Sequence, residues 1–199
     1  FATTNSAVEE EYTTSYVQGD KALTLYAVWR ANNYPITISF MFEDLDGTFK
    51  ALGLTGKFNI GYDGHTENEL DSFNDEIPYK TKVSISNIIL ENGFQIESVK
   101  LNNANLIASS NVYSFEVPLN EGEVIIYASR IPYELTLDLN IDDSTNEVKD
   151  DFKFENDLSV NSILFGQEIT LPDFTNYRDG YDFNGWGTNG IVEFAVGES

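Results

Sequence analysis

Along this chain apolar residues recur at every second position, in runs only a few residues long. Leu23, Leu25, Ala27 and Trp29 alternate in this way, as do Ile36, Ile38 and Phe40. So do Val83 and Ile85, then Tyr113, Phe115 and Val117, then Val124, Ile126 and Ala128, then Tyr133, Leu135 and Leu137. A period of two puts alternate side chains on one face of a strand, so each run predicts a half-buried β-strand. Gly, Asn, Asp or Pro bounds each run, as strand ends require. The expected class is mainly β. Two acidic, polar stretches break the pattern, residues 63–76 and 142–157, and read as long loops or a short helix. Residues 66–73 are the better helix candidate, because Leu70 and Phe73 stand three apart.

The apolar pattern repeats over a longer distance. Leu25, Tyr26, Ala27, Val28 and Trp29 resemble Ile126, Tyr127, Ala128, Ser129 and Arg130, and each set precedes a strand that opens with tyrosine, Tyr34 or Tyr133. Residues 77–85 match residues 163–171 in apolar pattern at an offset of 86, and Gly93 with Phe94 matches Gly180 with Tyr181 at an offset of 87. Two separate motifs at nearly one offset point to tandem modules. One complete module is expected over residues 34–130. A second opens in residues 131–199, and residues 1–33 hold a closing strand with no module in front of it.

The second module carries Phe165-Gly166, an apolar stretch ending in Leu171-Pro172, and then Gly180, Tyr181, Phe183, Gly185 and Trp186. With Leu25, Tyr26, Ala27 and Trp29 as a closing signature, this resembles the Listeria–Bacteroides repeat, also called the internalin B-repeat. Phe165 stands where that family usually has tyrosine. The middle module resembles a divergent copy, with Gly93-Phe94 and Ile126-Tyr127-Ala128 kept and Arg130 in place of the closing tryptophan. The resemblance implies small β-grasp-like modules in tandem on bacterial surface proteins and adhesins, acting as spacers or weak binders without chemistry of their own. One module is then complete and one is split between the chain ends. The resemblance makes Leu23, Leu25, Tyr26, Trp29, Tyr181, Phe183 and Trp186 the module-closing interface. Tyr181, Phe183, Trp186 and Trp29 are expected in small cores, with a sugar-stacking platform as the alternative for the two tryptophans.

Composition narrows the partners. Of 199 residues, 41% are hydrophobic, enough for folded cores, while the formal charge of −22 disfavours nucleic acid and anionic lipid. No apolar run is long enough to span a membrane. There is no cysteine and no Asn-x-Ser/Thr sequon, and both lean towards a bacterial source.

Catalytic constellations are hard to assemble from these residues. His65 is the sole histidine, with no nucleophile readable around it, and one His without Cys makes no zinc site. Asp44 and Asp46 before Gly47 open like a calcium loop, but the later ligand positions are missing, so a plain β-turn is expected. Asp142, Asp143, Asp150 and Asp151 bracket a loop that holds either Ca²⁺ or only solvated charge. The expected protein is not an enzyme and uses no cofactor. It is expected to be an extracellular repeat unit of a stalk, fibre or adhesin at the bacterial cell surface, with neighbouring copies as partners. The alternative is a module that binds a glycan, host or cell-wall ligand through loops or a sheet edge.

The split module needs completion. Either residues 23–29 of one copy add a strand to the C-terminal half of the next, or Ser199 continues into another copy in a tandem array, or the two ends meet within one chain. The first two are head-to-tail contacts, which do not close by two-fold symmetry and so give filaments.

Overall fold

The computed structural model describes residues 19, 24–137, 159–175, 178, 180–187 and 194–195. Its described residues form strands and turns with no helix. The mainly β class expected from the alternation is therefore what the structure has. Contacts divide the chain into two compact units. The first comprises Phe1–Ser39, Phe58–Ile88 and Lys100–Val124, the second Phe40–Lys57, Ile89–Val99 and Ile125–Ser199.

The longest strand is β1 (Asn33–Glu43). Its N-terminal half pairs antiparallel with β5 (Phe73–Pro78) and its end pairs with β2 (Phe49–Lys50). With β7 (Phe94–Leu101), β8 (Ala104–Asn105) and β10 (Gly122–Arg130) these make a six-stranded sheet in the order β2-β1-β10-β7-β8, with β5 on β1. A four-stranded sheet has the order β4-β3-β6-β9, from β3 (Lys57–Tyr62), β4 (His65–Leu70), β6 (Lys82–Ile89) and β9 (Tyr113–Glu116).

In the first unit the core follows the alternation. Ile36 and Ile38 of β1, Phe58 and Ile60 of β3, Val83 and Ile85 of β6, and Val124 of β10 are all buried. Between them, Thr37 is exposed and Asn59 and Ser84 are half-buried, so each strand has one dry face and one face open to solvent. Gly122 lies among these strands without a side chain, since a Cβ there would come within 2.6 Å of the Ile36 side chain.

Three tight turns lie in this unit, between β3 and β4, between β7 and β8, and within the isolated bridge of Ser109 with Val112. Their central pairs are Asp63-Gly64, Asn102-Asn103 and Ser110-Asn111, all at positive φ. Positive φ at both central positions marks the type I′ turn, whose twist matches that of the flanking strands. The first of these turns overturns the helix expected over residues 66–73. It pairs Tyr62 with His65 and folds the acidic stretch back as β4 along β3. Leu70 and Phe73 belong to different strands, β4 and β5. Near the end of β4 the register shifts, with Glu69 at φ 55 and its N–H donated to Asn59 Oδ1 at 3.0 Å. This bulge lets the exposed edge strand twist off the sheet.

The second unit has its own cluster, in which Phe42, Phe94 and Ala128 are buried and Phe40, Leu52, Leu54 and Leu90 pack against them. The Phe42 and Phe94 rings meet edge to face at 5.2 Å. After β10, β11 (Pro132–Thr136) pairs antiparallel with β12 (Ser159–Leu164), and β13 (Gly185–Trp186) pairs with β14 (Phe194–Ala195). Residues 163–171, whose apolar pattern matches that of residues 77–85, do not continue as one strand: β12 ends at Leu164, and Phe165 and Gly166 turn. The strand expected over residues 23–29 is also absent: residues 24–30 hold one β-bridge position at Tyr26 and no strand. Alternation gives a segment a face to bury, but a strand also needs a hydrogen-bonded neighbour along its length. Leu23 and the loop of residues 142–157 lie outside the described residues.

Candidate functional site: the module junction and the exposed aromatics

A module boundary is expected after Arg130, and a knot of contacts surrounds that residue. Gly93 turns at φ 86 and leads into Phe94. Its carbonyl accepts the Ile131 N–H at 2.8 Å, and the Ile131 carbonyl accepts the Phe165 N–H at 3.2 Å. The Phe165 ring lies over Gly93 so closely that a Cβ would sit 2.2 Å from it. Phe165 also meets the Phe94 ring edge to face at 6.2 Å. The glycine is therefore required twice, for its backbone conformation and for the ring seated on it.

Arg130 closes this knot. Its backbone N–H donates to the Glu43 carboxylate at 2.8 Å and its Nε donates to the Glu43 carbonyl at 3.0 Å. One terminal guanidinium nitrogen donates to the Phe165 carbonyl. The guanidinium carbon stands 5.1 Å from the Phe94 ring centre, a cation–π distance. Arginine suits the place because its planar fork satisfies two carbonyls while stacking on an aromatic face. Arg130 thus has a physical role of its own in this chain.

Further along, Phe174 is buried, and the Phe183 and Trp186 rings pack edge to face on it at 5.7 and 5.5 Å. The Trp186 Nε1–H donates to the Pro172 carbonyl at 2.8 Å. Phe183 and Trp186 are half-buried, as a small core would have them. Tyr181 is not in that core: it is 55% exposed, with the Arg178 guanidinium 3.8 Å above its ring. Sequence reading missed Phe174. The available signal is Asp173, whose carboxylate accepts both the N–H and the hydroxyl of Thr175, forming the Asx-type turn in which Phe174 lies.

Of the remaining interface residues, Leu25 is half-buried, Tyr26 is 39% exposed and Trp29 is 89% exposed. The core expected around Trp29 is not formed in this chain. A tryptophan that exposed leaves a large apolar face in water.

Asp44, Asp46 and Lys50 account for the calcium-like motif. Gly47 N–H donates to the Asp44 carbonyl at 3.0 Å and closes the turn. The Lys50 ammonium lies 2.8 Å from a carboxylate oxygen of each aspartate, where a cation ligand set would otherwise converge. Asp46 is held well below the usual carboxylate range, first by Lys50 and then by the Thr48 hydroxyl and N–H. Asp44 is lowered by Lys50 and by the Leu45 N–H, and Lys50 is raised by both aspartates.

Two shallow clefts lie in the first unit. One, of about 440 Å³, runs along Thr66, Gly61, Ser84 and Ser114 beside Lys82. The other, of about 390 Å³, lies between Pro35, Thr37, Asn103 and Glu123. His65 lines the first, and its ring stands 5.5 Å from that of Tyr62. Burial first, then Asp75 and Glu67, raise the Tyr62 phenol. Among the described residues no three His, Asp or Glu side chains gather as a metal-binding group, and no helix is long and apolar enough to cross a membrane.

No family model and no curated protein matches the chain. Among solved structures it is similar to a pilus-presented adhesin, Spy0125 (Cpa), in a cysteine-to-alanine mutant at 10% identity and a TM-score of 0.27. A second crystal form of the same adhesin gives 10% identity and a TM-score of 0.28. Each match covers 50% of this chain and 28% of the adhesin's.

Proposed function

We propose that the chain is a non-catalytic structural repeat unit of a bacterial extracellular stalk, fibre or adhesin, with copies joined head to tail. The observation that carries this reading is Trp29. It belongs to the closing motif of a B-repeat-like module, yet stands 89% exposed, with Tyr26 39% exposed beside it. The occupant that fits such a face is the C-terminal half of a neighbouring copy, whose opening strands include Tyr181, Phe183 and Trp186 in the sequence pattern. The junction at Arg130, Gly93 and Phe165 supports the same reading, because an extended array needs successive modules coupled along the chain. The net charge of −22 keeps laterally adjacent copies apart and leaves the ends as the contact sites.

Sedimentation velocity over a range of concentrations tests this. The expected outcome is a series of elongated oligomers that Trp29→Ala shifts to monomer without loss of the fold. A single monomeric species at all concentrations, together with no contact across the join in a chain of two copies linked Ser199 to Phe1, would reject it.

A further inference from the structure

A second kind of chemistry sits at the junction itself. Three Asn-Gly pairs occur in the sequence, at residues 92–93, 184–185 and 189–190. Asn92 is exposed, and its side-chain amide makes no hydrogen bond among the described residues. Gly93 follows it at φ 86 in a turn whose closing bond, Phe94 N–H to Glu91 carbonyl, is long at 3.3 Å. The amide nitrogen of Gly93 likewise donates to no acceptor among the described residues. An asparagine followed by glycine is the pair in which the next backbone nitrogen meets the least steric obstruction on its way to the side-chain carbonyl carbon.

We infer that Asn92 is a site of spontaneous deamidation and isoaspartate formation, and that this reaction uncouples the module junction. The Gly93 backbone nitrogen attacks Asn92 Cγ, a new N–C bond forms, and ammonia leaves with the amide nitrogen. Water then opens the succinimide at one of its two carbonyls. One opening gives aspartate. The other gives isoaspartate, in which the main chain runs through the former side chain and gains one methylene. No oxidant, cofactor or enzyme is required.

The position makes the product matter. Gly93 is buried, its carbonyl holds the Ile131 N–H and its open face seats the Phe165 ring. A methylene inserted immediately before it displaces both contacts together. The new carboxylate alone adds one charge to an exposed turn and leaves the backbone path unchanged. The two products therefore have different consequences, and the isoaspartate form is the one that releases Phe165. The contacts involved are separate from the Trp29 face, so failure of this inference leaves head-to-tail assembly standing, and the reverse.

The test is to age the full chain in mildly alkaline buffer and map its peptides by mass spectrometry. Isoaspartate is identified by methylation with a protein isoaspartyl methyltransferase. The expected result is conversion at Asn92 well ahead of Asn102, Asn111 and Asn120, none of which precedes glycine. In step with it, the Ile131 amide loses its protection from solvent exchange and the Phe165 ring resonances shift. Asn92→Gln should abolish both changes, and Asn92→Asp, measured before ageing, should keep the Ile131 protection. An Asn92 that stays intact while the other asparagines convert would overturn the inference, as would its conversion with Ile131 and Phe165 unmoved.

Discussion

The first unit and the chain that follows Arg130 are held together in different ways. In the first unit, β1, β3, β5, β6, β9 and β10 each turn an alternating face inward, and the buried side chains are Ile, Val and Phe spread over two sheets. After Arg130, Phe174 is the buried hydrophobic side chain among the described residues, and it is gripped by Phe183 and Trp186. Among the described residues, Gly93, Ile131, Phe165 and Arg130 also tie that segment to the chain before it. A distributed core tolerates the loss of any one contact outside it. A segment tied down at a few aromatic and arginine contacts opens locally when one of them goes. Core size thus depends on how many alternating strands surround it.

This contrast can be broken by truncation. Phe58→Ala removes a fully buried ring from the first unit and should destabilise it by about 3–5 kcal/mol. Chemical denaturation should show one cooperative loss for that unit. Phe174→Ala should cost about 2–4 kcal/mol, but only locally. Hydrogen exchange should rise over residues 172–187 while the amides of β3 and β6 keep their protection. Equal loss of protection in both places would erase the distinction between the two regions.

The junction sharpens it further. Gly93→Ala forces a side chain into the Phe165 ring at a positive φ and should cost about 1–3 kcal/mol. Arg130→Lys keeps the charge but loses the fork, and should cost about 1–2 kcal/mol. In both variants the Ile131 and Phe165 amides should exchange faster while the first unit stays unchanged.

The smallest effect is expected at the β1–β2 turn. Asp44 and Asp46 are lowered in the folded state, chiefly by Lys50, from a value of 3.8. Their stabilising contribution is then complete above the unfolded value and fades as pH falls through the lowered folded ones. With Asp46 and Lys50 exposed and Asp44 only half-buried, the cluster is screened by solvent and salt. Carboxyl titration by NMR should place both midpoints below 3.8, with Asp44 moving back towards it in Lys50→Gln and Asp46 retaining part of its shift through Thr48.

Legibility from sequence followed the same division. Alternation located the strands through Ile36, Ile38, Val83, Ile85, Phe115 and Val124, because a period of two is a local property of a half-buried strand. It fails over residues 66–73, where the three-residue spacing of Leu70 and Phe73 mimics a helix although Asp63-Gly64 turns the chain into a hairpin. Side-chain roles at the ends were harder to read. Phe183 and Trp186 lie in a small core, but Tyr181 and Trp29 are exposed. Membership of a motif does not by itself place an aromatic side chain in a core. Arg130 was visible only as a departure from a pattern, since its role depends on Glu43 and Phe165, far from it in the chain.

The head-to-tail account is tested most directly by a photo-crosslinking amino acid placed at position 29, in a mixture of isotopically heavy and light copies. The account predicts crosslinked peptides of mixed label that join residue 29 of one copy to residues 133–199 of another, with the same pair joined across the link in a two-copy chain. Crosslinks confined to a single copy, or reaching only residues 34–130, would contradict it.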